Sequence, residues 1–295
     1  MRWSAMTERP SRSSSAESSS EGTRHTRRRV LATGVVAAAV VVATGEILVA
    51  DVLAVTAAWT VPTVLVVAGL WWYTYANAAE NSSGDTAGSG ESDGGETARA
   101  YATLGLPTGV TLFRGTVIAG VAGVAAVAAV GGYSPVWAWA AAVGYGVAAA
   151  LDAVDGFLAR RLDRVTRLGG RLDTAVDAFG LLAAPLAGVV LGELAWWYLS
   201  VGAARYVFVA GKWWRDRTDK PTFDLPPRAS RRVLAGLQMA VVPLALAPGV
   251  FDAWMPLVTG VAAGGLLLGF GRDWLYVSGR LRSAATRPQT SSAEH

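Results

Sequence analysis

Apolar residues run along the chain in long blocks separated by short polar stretches. Eight blocks approach the roughly 20 mostly apolar residues that a bilayer-crossing helix needs. They lie at about 30–50, 52–75, 108–131, 134–155, 174–192, 194–211, 231–249 and 253–271. Several are rich in Ala, Gly and Val, the residues that let membrane helices approach closely. The pattern predicts an all-α integral membrane protein with a six-helix body preceded by two extra helices. Residues 1–29 read as a basic Ser/Arg-rich tail, 30–75 as a two-helix membrane module and 76–100 as a linker. Residues 101–275 read as the six-helix membrane domain and 276–295 as a second tail. In the linker, nine of the fifteen residues 81–95 are Gly or Ser, with Glu80, Asp85, Glu91, Asp93 and Glu96 around them. That composition is typical of a solvated chain without a core.

Composition narrows the class. Apolar residues make up 52% of the 295 and charged residues 16%, against about 25% charge in an average soluble domain. A soluble fold of this length buries only about 75% of its unfolded surface, too little to hide eight such blocks. Cys is absent, which excludes disulfides, thiolate metal sites and Cys nucleophiles. His occurs only at His25 and His295. Acid–base or metal chemistry in the body must therefore rest on carboxylates.

Charge placement predicts topology. Residues 1–29 hold seven Arg, and further Arg and Lys cluster after the fourth block, after the sixth block and in the C-terminal tail. The alternate turns, near Asp51, 131–135, Glu193 and 249–252, hold none. With eight spans all basic segments fall on one side, expected to be cytoplasmic together with both termini. Trp71, Trp72, Trp196, Trp197, Trp213, Trp214, Trp254 and Trp274 sit near span ends, as interfacial anchors do. Thr26-Arg27-Arg28-Arg29 before an apolar run faintly resembles a twin-arginine export signal, but a second span follows at once, and a membrane anchor fits better.

The chemistry concentrates in 152–177. Asp152 and Asp155 are three apart, and Asp173 and Asp177 are four apart, so each pair shares a helix face. Gly169-Gly170 is expected to break the helix between the pairs, letting two helix ends meet with four carboxylates converging. Carboxylates in a membrane helix are costly and usually mark function. Four together need neutralising, and oxygen-only ligands suit hard divalent cations. Gly156 and Gly169 leave the backbone open to a ligand, and Arg160 can grip phosphate bidentately. The alternative, pairing of carboxylates with neighbouring arginines, fits Asp163 among Arg160, Arg161, Arg164 and Arg167. It fits the repeated same-face spacing of the other four less well.

These residues resemble the CDP-alcohol phosphotransferase signature, D-x2-D-G-x2-A-R-x8-G-x3-D-x3-D. Asp152, Asp155, Gly156, Ala159, Arg160, Gly169, Asp173 and Asp177 fill every fixed position. The likeness extends over about 101–275. Leu106-Pro107-Thr108-Gly-Val-Thr111-Leu-Phe-Arg114 resembles the family's entry to its first core helix, with Thr108 where Asn is usual. The resemblance implies a six-helix core, a homodimer and two Mg²⁺ or Mn²⁺ ions. By position, Asp152, Asp155, Asp173 and Asp177 would hold metal, and Asp177 would also be the general base. Asp152, Gly156, Ala159, Arg160 and Gly169 would line the CDP pocket.

The expected reaction passes a phosphatidyl-type group from a CDP-linked lipid to a small polar alcohol in the membrane, with release of CMP. The reverse assignment, a small CDP-alcohol donating to a lipid hydroxyl, uses the same core. A cation transporter is a further alternative, although its carboxylates should lie near mid-membrane. No nucleic-acid partner is expected. Acceptor candidates are Arg205, inside the sixth span and able either to snorkel or to face a cavity, and Arg231 and Arg232 at the start of the seventh. Lys212, Arg215 and Arg217 read as cytoplasmic anchors.

Overall fold

The computed structural model describes residues 12–49, 53–81, 104–131, 134–162, 166–226, 228–250 and 253–281. The described residues form eight α-helices: α1 (Arg12–Val49), α2 (Leu53–Ala76), α3 (Leu106–Gly131), α4 (Pro135–Leu162), α5 (Arg167–Leu191), α6 (Leu199–Arg217), α7 (Ala229–Leu246) and α8 (Met255–Val277). Among the described residues, six segments are long and apolar enough to cross a membrane: Ala54–Ala76, Leu106–Gly131, Pro135–Val154, Arg167–Leu191, Ala229–Leu246 and Met255–Val277. The chain is thus an all-helical, multi-pass membrane protein.

Three sequence expectations shift. The segment read as a tail and then a first span is one helix from Arg12, so its basic residues continue into the apolar turns. The segment expected to span 194–211 instead begins with a 3-10 turn, Trp196–Tyr198, and becomes α-helical only from Leu199. It then carries Arg205, Lys212, Arg215, Asp216 and Arg217, which keep it out of the six. The helix break expected at Gly169-Gly170 lies earlier. Thr166 caps α5, its hydroxyl accepting from the Gly169 amide at 3.0 Å, so both glycines sit in the first turn. A hydroxyl serving an orphan helix amide outweighs the weak helix preference of glycine. At the far end Gly192 closes α5 in the left-handed conformation, φ 81°, its amide bonding to Gly188 and Val189 carbonyls.

The helix α3 is the central post, packing against α5, α2 and α4. Buried Ile118, Val121, Val124 and Val127 from α3 join Tyr145 of α4 and Val176 and Ala184 of α5 in the core. Here van der Waals packing, rather than water exclusion, holds helices together. Gly202 shows how close the approach is. A Cβ built there would lie 2.5 Å from the Leu181 carbonyl oxygen and 2.9 Å from Leu182 Cα, both backbone atoms of α5.

A buried polar tie links three elements on the other side. The Tyr198 hydroxyl donates to Gln238 Oε1 in α7, and Gln238 Nε2 donates to the Ala262 carbonyl of α8 at 2.7 Å. The N-terminal helices form their own staple, with Trp71 Nε1 donating to Thr33 Oγ1 at 3.2 Å and Arg27 over the Tyr75 ring. At the module's end, Glu80 takes both its carboxylate oxygens to Arg171 Nη1, at 2.6 and 2.8 Å, in the first turns of α5. The remainder of the expected linker, 82–100, lies outside the described residues. Of the tryptophans read as interfacial anchors, Trp72, Trp196, Trp213, Trp214 and Trp254 are exposed.

Candidate active site

Three of the four carboxylates, Asp152, Asp173 and Asp177, become a site because α3 lies beside both helices that carry them. Asp152 stands near the end of α4, and Asp173 and Asp177 one turn apart in α5. One oxygen from each of the three can be chosen so that all lie within 4.8 Å of one another. Each side chain is about one-third exposed, so the cluster opens on one side. Asp155, Gly156, Ala159 and Arg160 belong to the last turns of α4, but their side chains lie outside those described. Gly169 faces Thr108. A Cβ at Gly169 would lie 3.0 Å from Thr166 Oγ1 and 3.2 Å from Thr108 Oγ1, so any side chain there would crowd both hydroxyls.

The centre of the cluster is a residue that the sequence reading named only as part of a helix entry. Arg114 of α3 is 1% exposed. Its Nη1 donates to Asp173 Oδ1 at 2.8 Å and lies 2.9 Å from Asp152 Oδ1, while Nη2 pairs with Asp177 Oδ1. One guanidinium thus bridges three carboxylates on two other helices. The available signal was burial logic: Arg114 is the sole charged residue between Leu106 and Gly131, and a lone charge in an apolar span needs a partner.

A cavity of about 600 Å³ flanks the carboxylate helix. Ala178, the neighbour of Asp177, and Leu181 form part of one wall, with Val201, Phe208 and Leu266 among the apolar lining. Its polar lining is mainly ionic: Arg205, Lys212, Asp216, Arg231 and Asp273. Arg205 therefore faces the cavity. Lys212, read from sequence as an anchor, does too. Arg231 lines it as half of a bidentate pair, Nε to Asp273 Oδ2 at 2.6 Å and Nη2 to Oδ1 at 3.1 Å. Arg232 is exposed and is not part of the lining. Among the described residues, Arg205 and Lys212 form no ion pair, whereas Arg231 does.

The three carboxylates fit a hard divalent cation by donor chemistry, being oxygen-only, convergent and partly open. Arg114 already shows that positive charge is accommodated there. A comparison with curated proteins finds no match. The CDP-alcohol phosphatidyltransferase family model matches residues 104–266, more than half of the chain. That span starts just before α3 and takes in Arg114, the three clustered carboxylates and the greater part of the cavity wall. With the motif, the carboxylate geometry and the match in agreement, the chain belongs to the CDP-alcohol phosphatidyltransferase family.

Proposed function

We propose that this enzyme transfers a phosphatidyl-type group from a CDP-linked lipid to a small, anionic polar alcohol at a divalent-metal site. One observation carries the reading: a convergent Asp152–Asp173–Asp177 cluster beside a largely apolar cavity that presents Arg205 and Lys212. Bound Mg²⁺ or Mn²⁺, two ions by family expectation, would polarise the phosphoryl group and neutralise the leaving CMP. Asp152, Asp155, Asp173 and Asp177 are the residues to hold them. Gly156, Ala159, Arg160 and Gly169 are assigned to the CDP moiety, with Asp152 also bordering it.

In the proposed reaction the acceptor hydroxyl oxygen bonds to the lipid-side phosphorus. The phosphoanhydride bond to CMP breaks, and the hydroxyl proton passes to the Asp177 carboxylate. Asp177 works as a base through position and through proton transfer at the transition state. Arg205 and Lys212 hold an acceptor that carries its own negative charge, such as a phosphorylated polyol. Arg231 is held by Asp273 at the cavity wall, and Arg232 contributes at most to the approach. Arg205 and Lys212, which form no ion pair among the described residues, favour this direction over donation to a diglyceride hydroxyl, which is neutral. A cation path through the carboxylates fits less well, because Arg114 places a fixed positive charge in it.

With all eight helices crossing, as this reading takes them, the asymmetry of Lys and Arg supports an orientation with the carboxylate end of the bundle and both termini in the cytoplasm, in the cell membrane. The reading includes homodimerisation, as the family implies. The test incubates purified protein with labelled CDP-lipid and a panel of alcohols, phosphorylated and not, with Mg²⁺ or Mn²⁺. CMP release and the product mass are followed. Transfer to phosphorylated alcohols, abolished by a chelator, is expected. Unchanged turnover in excess chelator overturns the metal site, and turnover with a small CDP-alcohol and a diglyceride in place of CDP-lipid and alcohol overturns the direction.

A further inference from the structure

We infer that Arg114 is a built-in counter-cation of the carboxylate cluster, which competes with the divalent metal and so sets its affinity and exchange. The inference rests on the metal reading of Asp152, Asp173 and Asp177. Three carboxylate oxygens so close together repel one another strongly in a low-dielectric bundle. A membrane protein must hold them together before any metal arrives, or the helix ends would separate. Arg114 supplies that hold. It is nearly fully buried, and its two terminal nitrogens reach all three carboxylates.

Two further features distinguish this arrangement from a simple structural ion pair. The Arg114 Nε is buried with no hydrogen-bond partner. The guanidinium therefore satisfies the carboxylates at the expense of one of its own donors, and a bond to a buried arginine is expensive to leave unmade. The charge count is also unbalanced. Among the described side chains, three carboxylates against one guanidinium leave a net charge of −2, which one divalent ion would neutralise. Oxygen atoms committed to Arg114 have fewer lone-pair directions to offer a metal, and the guanidinium charge repels it directly. Metal entry therefore has to loosen these contacts. A cluster of four Asp without such a cation would hold metal more tightly and release it more slowly.

The test measures Mn²⁺ binding to the full-length protein in detergent, by the electron paramagnetic resonance signal of free Mn²⁺, with no substrate present. The thermal midpoint with and without Mn²⁺ is read in parallel. Arg114→Met keeps an unbranched apolar stem but removes the guanidinium and its charge. It should bind Mn²⁺ at least about tenfold more tightly than the parent, as expected for removing a unit charge next to a divalent ion in a partly buried site. It should also melt lower without metal and show a larger Mn²⁺-induced rise. Arg114→Lys keeps the charge without the fork, reaches fewer carboxylates, and should fall between the two. It also serves if Arg114→Met does not fold. Affinity unchanged or weakened in Arg114→Met, or in Arg114→Lys when only that variant folds, overturns the inference while leaving the metal site intact. Absence of Mn²⁺ binding to the parent protein overturns the metal reading itself.

Discussion

The assignment of Asp177 as general base makes a sharp prediction through Asp177→Asn. The change is nearly isosteric, so the packing of α5 against α3 should survive. The amide oxygen can still accept from Arg114 Nη2, which now bonds the carboxylate. What disappears is one negative charge, taking the described cluster from net −2 to −1, and the group that accepts the proton. Loss of a positioned acid–base group costs about 10²–10⁴ in turnover. At about 1.36 kcal/mol per decade, that is roughly 3–5 kcal/mol of activation free energy. Donor binding should fall much less, because Asp152 and Asp173 remain next to each other as ligands. Asp152→Asn is the control. It strips a ligand that α4 brings directly against Asp173 and Asp177, so donor affinity and turnover should both collapse. Release of radiolabelled CMP gives turnover, and binding of a non-reactive CDP-lipid analogue to purified protein gives affinity. Near-normal turnover in a folded Asp177→Asn protein would refute the base assignment. Equal losses of donor affinity in the two variants would refute the division between base and ligand.

Other predictions test the cavity, the packing and the orientation. Arg205→Gln should raise the KM for an anionic acceptor at least about tenfold while changing the KM for the CDP-lipid little; an equal rise for both would remove Arg205 from the acceptor site. Gly202→Val places carbon into backbone atoms of α5 that cannot move aside, so detergent-solubilised protein should lose about 1–3 kcal/mol of stability, and an unchanged unfolding midpoint would contradict the close approach. Gln238→Leu strands the buried Tyr198 hydroxyl and should destabilise by about 1–3 kcal/mol, whereas the double change with Tyr198→Phe should recover much of that loss. A single Cys at position 219, in a chain without native Cys, should resist an impermeant thiol reagent in intact cells and react after permeabilisation; labelling without permeabilisation would reverse the orientation.

Membrane class, the two carboxylate pairs and the reaction family were all open to reading in the sequence, because each depends on spacing within one segment. Hydrophobic block length reports a span wherever it occurs, and separations of three and four residues place side chains on one helix face whatever the helix packs against. The helix boundaries were less legible. The hydroxyl of Thr166 decides where α5 begins, and the charges of α6 decide that its apolar stretch is not one of the six clear spans. Arg114 could be seen as an anomaly in its span, but not as the centre of the site. It meets Asp173 across 59 residues of sequence, and that meeting depends on the depth and rotation at which α3 lies against α5. Those quantities come from interlocking side chains on several helices at once, and no single segment encodes them. The same reason explains Arg205 and Lys212. The place of Arg205 in the sequence allowed either an interfacial anchor or a ligand contact and that of Lys212 read as an anchor, and the packing of α5, α6, α7 and α8 around a common cavity turned both toward its interior.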